Sequence, residues 1–401
     1  MGDLEAFRSE TADWLDANAP AAIRNRTLLE GEETWGGKKA KYPNPAMKVW
    51  LDVCAEKGFT APTWPLEYGG GGLSSAEAKV LHQEMSRLKL PAPLVGFGLT
   101  MIGPTLLAYG TDAQKKQHLP RICRGEIRWC QGYSEPRSGS DLASLSTRAV
   151  RDGDHFVITG QKVWTSYADH ADWIFALVRT NPDAKKQEGI TFILIDMDQP
   201  GVTVKPILLI SGKSPFCETY FDEVRVPVAN VVGKIDGGWT VAKALLGHER
   251  SMIADTFGSA GAARAGKRSR FAELADRYIG RDDQGRIAEP VLRHDIAQNE
   301  MDARAFGLTV QRARDAAKAG HQPGPESSMF KVYGTEVNMR RQEVMVRLMG
   351  PQAAGWEGPG FGADELAQTR DWLRSRGNSI EGGTSEIQLN IIAKRVLGLP
   401  D

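Results

Sequence analysis

The sequence predicts an α+β chain with an N-terminal helical domain (residues 1–124), a middle β-barrel or sandwich domain (125–234) and a C-terminal four-helix bundle (235–401). Three observations carry this. Up to about Arg124, apolar residues recur at three- and four-residue steps, the period of a helix with one buried face. Near Gly125 the pattern changes to short β-branched or aromatic runs separated by turns, as in a compact β-domain. After Gly237 the helical period returns and persists to Leu399.

Taken in order, Leu4, Phe7, Thr11, Trp14 and Leu15 mark one face of a first helix, and a loop rich in Gly and Lys follows over 31–45. Met47, Trp50, Leu51 and Cys54 begin a second helical face. Thr63-Trp64-Pro65 and Tyr68 with the four glycines after it read as loop. Residues 76–88 are helical again, and Thr111 or Asp112 caps a helix running through His118. The apolar run 91–109 is interrupted by Gly96, Gly98, Gly103 and Pro104. It therefore suits a buried helical hairpin better than a membrane span. Strands are expected at 156–158, 173–178, 190–195, 202–204 and 221–226, with turns such as Asp152-Gly153-Asp154 between them. Long helical segments at 239–265, 291–319, 328–349 and 385–397 make up the bundle.

Composition excludes several classes. Lysine plus arginine and aspartate plus glutamate number 50 each, so no basic excess points to nucleic acid and no acidic tail to a cationic partner. Cys54, Cys123, Cys130 and Cys217 form no CxxC pair, and the 7 histidines show no metal-ligand spacing, so no metal is expected. The cysteines read as reduced, mostly buried thiols. The first residues are acidic and lack a signal-peptide core, so a cytoplasmic protein without a membrane anchor is expected. No G-x-G-x-x-G follows a strand, and there is no P-loop, HExxH or nucleophile elbow.

Four places could carry chemistry. Glu249 falls on the apolar stripe of the 239–265 helix, between Leu245 and Ile253. A carboxylate there serves either an internal ion pair or a general base whose proton affinity is raised by an apolar pocket. In Tyr133-Ser134-Glu135-Pro136-Arg137-Ser138-Gly139-Ser140-Asp141, hydroxyls and small residues crowd a turn that offers donors to a polar ligand edge or to phosphate oxygens; an ordinary capped turn would look the same. Trp164-Thr165-Ser166 at a strand end could stack a planar ring and bond its heteroatoms, or be a core Trp with edge hydroxyls. In the 378–388 segment, glycines bring the backbone close to a neighbour, Thr384 or Ser385 caps the last helix, and Ser385 with Gln388 has capping-box spacing. That segment is either a simple cap or a helix start facing a cofactor or a developing oxyanion.

In this order the segments resemble the acyl-CoA dehydrogenase family of flavoproteins, nearly end to end. The resemblance begins at Trp64-Pro65-Leu66-Glu67-Tyr68-Gly69-Gly70. It rests most on Ser134-Glu135-Pro136 with Gly139-Ser140-Asp141, and on Gly160-Gln161-Lys162 with Trp164-Thr165-Ser166. Phe221-Asp222-Glu223-Val224-Arg225-Val226-Pro227 and Gly382-Gly383-Thr384-Ser385-Glu386-Ile387-Gln388 complete it. The family's fold matches the helix–sheet–helix reading.

The resemblance implies FAD held between the β-domain and the bundle, and oxidation of an acyl-CoA to the trans-2-enoyl-CoA with hydride transfer to flavin N5. Gln131, Tyr133 and Ser134 are then expected along the pyrimidine edge of the flavin, Ser140 at the pyrophosphate, Trp164 over a ring face and Ser166 near N5. Thr384 and Glu386 would close the cofactor. Many members carry the base one residue before the Gly-Thr pair, which here is Gly382; Glu381 is shifted by one. The isovaleryl-CoA and long-chain branches place a Glu on the helix just before an Arg, which here is Glu249 before Arg250. Glu249 is therefore expected as the α-proton base, with the Gly382 N–H on the thioester carbonyl. Implied partners are an electron-transfer flavoprotein and further subunits of a homo- or hetero-tetramer, or a dimer. The Arg-x-x-Phe-Gly sequence by which many homotetrameric members reach a neighbour's FAD is not reproduced at Ala275-Asp276-Arg277-Tyr278-Ile279-Gly280-Arg281, which leaves adenosine-side contacts open. A catalytically silent partner subunit and an acyl-CoA oxidase of the same fold are the alternatives.

Overall fold

The computed structural model describes residues 2–26, 28–29, 31–246, 269–320 and 324–400. Two compact units divide the chain: Met1–Ile207 with Pro215–Leu246, and Leu208–Ser214 with Gly247–Asp401.

The first unit begins with helices α1 (Gly2–Asn18), α2 (Pro45–Glu56), α3 (Ser75–Arg87), α4 (Gly103–Tyr109) and α5 (Asp112–Cys123). Local sequence sets their starts. Asn44 accepts from Ala46 N with Pro45 at the first helical position, and capping boxes join Ser74 to Glu77 and Thr111 to Gln114, satisfying donors that a helix start leaves open. Gln114 also donates to the carbonyls of Ala229 and Val231, both at 2.8 Å, tying α5 to the far end of the β region. Leu15, Ile23, Met47, Trp50 and Leu81 form the core under α1–α3.

The expected hairpin at 91–109 is not formed. A π-helical stretch, Gly98–Ile102, runs directly into α4 as one helical segment. Its glycines serve close packing rather than a turn, since a Cβ on Gly103 would lie 2.0 Å from the Trp64 ring.

Among the described residues, seven strands make one mixed sheet: β1 (Trp129–Gly132), β2 (Arg148–Asp152), β3 (His155–Ser166), β4 (Trp173–Arg179), β5 (Ile190–Asp196), β6 (Val202–Ile207) and β7 (Phe216–Pro227). The order is β1-β4-β2-β3-β7-β6, with β5 paired to β4. Every residue of β4 and β5 except the last is buried, which explains their unbroken apolar runs. The sheet curls, bringing the turn after β1 onto β3, where Val163 N–H donates to the Ser134 carbonyl at 2.9 Å. β1 and β2 were not expected. β2 is a charged Arg-Ala-Val-Arg-Asp with a single buried residue, and β1 is four residues long, too short for a periodic signal. Helix α6 starts at 238 and is described to 246.

In the second unit lie α7 (Arg270–Tyr278), α8 (Pro290–Lys318), α9 (Ser328–Met349), α10 (Ala363–Ser375) and α11 (Ser385–Ile391), which continues as a π-helical turn, Ile392–Val396. Phe271, Leu274, Leu292, Val344, Met345 and Leu348 form the core that joins α7, α8 and α9. α10 was not expected because its buried face is polar. Glu365, Gln368 and Thr369 lie inward, and Glu365 accepts from Gly362 N at 2.7 Å, Arg277 at 2.9 Å and the Tyr278 hydroxyl. No described helix is long and apolar enough to cross a membrane, and all four cysteines are buried thiols.

Candidate functional site

In the first unit, the end of β1 and the turn after it hold Gln131, Tyr133 and Ser134. Gln131 pairs in register with Phe175 of β4. The buried Tyr133 ring stands edge-on to Phe175 and Phe192, with centroids 6.1 and 6.3 Å away, so its backbone is set by the sheet core. Gln131 and Ser134 are half-buried, and their side chains have no hydrogen-bond partner among the described residues. Ser140 is exposed just beyond a short bridge in which Glu135 and Ser138 exchange main-chain bonds of 3.2 and 3.0 Å.

At the end of β3 the pairing with β7 slips between Lys162 and Thr165, a β-bulge that re-aims a side chain. Trp164 sits at that slip with φ +60°, a conformation costing a bulky residue roughly 1–3 kcal/mol unless its surroundings impose it. The consequence is that Trp164 is not a core residue: it is 53% exposed, and its ring stands perpendicular to Phe216 with centroids 5.9 Å apart. Thr165 points the other way. Its buried hydroxyl bonds the Cys217 carbonyl and the Thr219 hydroxyl, both at 2.8 Å. Ser166 pairs with Phe216 and is half-buried, its hydroxyl without a partner among the described residues.

Sequence reasoning missed what joins these two strand ends. Lys162, fully buried, donates to Glu135 at 2.8 Å and to the Tyr133 carbonyl at 3.2 Å. Glu135 also accepts from Ser146 N (2.6 Å), Ser146 Oγ (2.9 Å) and Thr147 N (2.9 Å). Burial raises the Glu135 carboxyl, but the Lys162 ammonium and these donors outweigh it and hold it below the usual carboxylate range. Both residues were visible inside the motifs. No periodicity pairs two charges 27 positions apart, and a charge in a strand ordinarily faces water.

An exposed indole held by a strained bulge, beside half-buried polar groups with open valences, fits a planar heteroaromatic ring with a polar edge, such as a flavin.

In the second unit, the structure decides between the two candidate caps of α11. Thr384 is the N-cap, its hydroxyl accepting from Ile387 N at 3.3 Å. The Ser385–Gln388 capping box is not formed. Ser385 donates to the Ser379 carbonyl at 3.4 Å, and Gln388 turns back to the Gly382 carbonyl at 3.2 Å. Gly382 and Gly383 both have left-handed φ, +66° and +87°. Exposed Glu386 is held below its ordinary range by its own main-chain N–H and by the Thr384 hydroxyl. Glu381 is held by Arg374 and by Asn378 Nδ2, each at 2.6 Å. Glu249 and the helix expected to 265 beyond residue 246 lie outside the described residues. Among those described, no cluster of His, Cys, Asp or Glu could hold a metal.

Three family patterns match the chain: the acyl-CoA dehydrogenase N-terminal domain over 5–126, the middle domain over 130–224 and the C-terminal domain over 236–397. A Mycobacterium tuberculosis relative named acyl-CoA dehydrogenase IpdE1 is 37% identical over 400 residues, covering 100% of this chain and 99% of that protein. Among solved structures, one described as the Tcur3481-Tcur3483 steroid ACAD is 33% identical with a TM-score of 0.73, covering 100% of this chain and 98% of that one. The ChsE4-ChsE5 complex from Mycobacterium tuberculosis is 29% identical with a TM-score of 0.70, covering 100% and 98%.

Proposed function

The chain belongs to the acyl-CoA dehydrogenase family of oxidoreductases, and from that premise we propose that it binds FAD and oxidises an acyl-CoA thioester to the trans-2-enoyl-CoA. The observation that carries this reading is the Trp164 bulge: a strained, exposed indole one residue from a buried Thr165 and two from a Ser166 hydroxyl that has no partner among the described residues.

When bound, FAD supplies the acceptor for the β-hydrogen, which leaves as hydride. In the first unit, Trp164 would cover a ring face, Ser166 would bond near N5, Gln131, Tyr133 and Ser134 would meet the polar edge, and Ser140 the pyrophosphate. In the second, Thr384 and Glu386 would close on the cofactor. Glu249 takes the α-proton while the Gly382 N–H polarises the thioester carbonyl, and the α,β C=C forms as the two C–H bonds break. A carboxylate alone is too weak a base for this carbon acid, so carbonyl polarisation and exclusion of water must both help. Glu381 is ill suited to the task, its carboxylate being engaged by Arg374 and Asn378.

A ring-bearing, steroid-derived acyl group is the proposed substrate class, because a full-length structural relative carries the description steroid ACAD. An electron-transfer flavoprotein is the proposed electron acceptor. A second reading, a partner subunit that binds little flavin alone, is favoured by the two-component description of another full-length relative. The purified chain separates the two. Stoichiometric FAD on the chain alone supports the enzyme, whereas a colourless chain that becomes yellow only with a second protein supports the partner. Anaerobic bleaching against straight, branched, dicarboxylic and steroid acyl-CoAs then identifies the acyl group.

A further inference from the structure

We propose that Glu135 and Lys162 are a positioning pair for the flavin, locking the Ser134 strand end against the Trp164 bulge so that both meet the ring as one preformed surface. This rests on the FAD reading above, and neither residue is asked to touch the ring.

Three elements converge on the pair. Lys162 Nζ grips the Tyr133 carbonyl and the Glu135 carboxylate from β3. Glu135 in turn grips the main chain of Ser146 and Thr147, just before β2. Gly160 permits this closeness, since a Cβ there would lie 2.7 Å from Thr147. Beside the pair, Val163 N–H takes the Ser134 carbonyl. The carbonyls of Tyr133 and Ser134 are thus committed inward, and the Ser134 hydroxyl has no partner among the described residues.

Lys162 also begins the bulge. The register slips between it and Thr165, so Trp164 is bracketed by two buried anchors, the Lys162 ammonium on one side and the Thr165 hydroxyl on the other. A left-handed Trp persists where its neighbours over-determine it. Stability alone is a poor reason for the pair, because replacing a buried ion pair with apolar residues of similar volume is often neutral or stabilising. What the apolar pair cannot do is hold the Tyr133 carbonyl or the 146–147 backbone, and those bonds orient the cofactor-facing groups.

The test is the full chain carrying Glu135→Leu with Lys162→Met, beside wild type. Folding is read by thermal midpoint, and the site by FAD affinity and the shape of the bound flavin's visible band. The expected result is a folded double variant that binds FAD about tenfold or more weakly, with a shifted band, since small misplacements of positioning groups are costly. A folded double variant with wild-type affinity and spectrum overturns the proposal. Should the variant not fold, amide exchange in the wild-type chain decides. Equal protection of the Val163 N–H with and without FAD supports a preformed surface, whereas protection that appears only with FAD overturns it. Wild type taking up no FAD overturns the FAD reading and the pair's role with it; wild type binding while the variant matches it overturns the pair alone.

Discussion

Trp164 and Phe216 stand perpendicular to one another, ring centroids 5.9 Å apart and planes at 89°, while Trp164 remains 53% exposed. A half-exposed indole braced by one perpendicular ring retains surface on which a second flat group could stack.

Trp164→Gly and Trp164→Ala separate platform from strain. Glycine tolerates φ +60°, so Trp164→Gly should be more stable than Trp164→Ala by about 1 kcal/mol. Both should bind FAD about tenfold more weakly than wild type, as loss of one stacking partner costs roughly 1–1.5 kcal/mol. Thermal midpoints and flavin titration check the two halves. Wild-type FAD affinity in either variant would contradict the platform role.

Two glutamates compete for the α-proton. Glu249→Gln should lower the rate of flavin reduction by about a thousandfold, in the range for losing a general base. Glu381→Gln should stay within about threefold of wild type, since an exposed ion pair with Arg374 contributes little. Stopped-flow reduction of both variants decides. Comparable losses in the two would displace Glu249.

The fold was legible where one face or one run is apolar. α9 spans the expected 328–349, and β4 and β5 cover the expected runs. It was not legible where buried faces are polar, as in α10 with Glu365, Gln368 and Thr369 inward, or where a strand is charged, as in β2. For the candidate site, the motif order marked both strand ends. Exposure of Trp164 was hidden because a bulge breaks the in–out alternation from which a strand is read. The Glu135–Lys162 pair was hidden because its partners meet through curling of the sheet. Thr384 takes the cap because the left-handed Gly382 and Gly383 bring the chain round one residue earlier than a Ser385 box requires.

His118, buried against Trp129 and Trp173 at 5.2 and 4.8 Å, has both ring nitrogens buried without a hydrogen-bond partner among the described residues. Burial, aided by the charge of Arg121, pushes it down to about 4. A histidine depressed in the folded state contributes stability that is complete above its ordinary value near 6.5 and is lost as pH falls toward about 4. The loss should reach roughly 3 kcal/mol by pH 4. His118→Phe should remove that acid slope in thermal midpoints between pH 7 and 4. Parallel slopes in wild type and variant would show that His118 is not responsible.

Gly383 has φ +87°, and a Cβ there would lie 2.5 Å from Gln388 Nε2, the group that holds the Gly382 carbonyl. Gly383→Ala should therefore cost about 1–2 kcal/mol in stability and lower kcat, by turning the Gly382 N–H away from its proposed task. Thermal denaturation and steady-state kinetics check both, and an unchanged kcat would remove Gly382 from the mechanism.

The most direct measurement mixes the FAD-loaded chain with acyl-CoA in the absence of oxygen and follows the flavin band, with mass analysis of the thioester. Bleaching of the flavin with loss of two hydrogens from the acyl group is the predicted result. A flavin that stays oxidised against every acyl-CoA class tried, with the thioester recovered unchanged, would contradict the account.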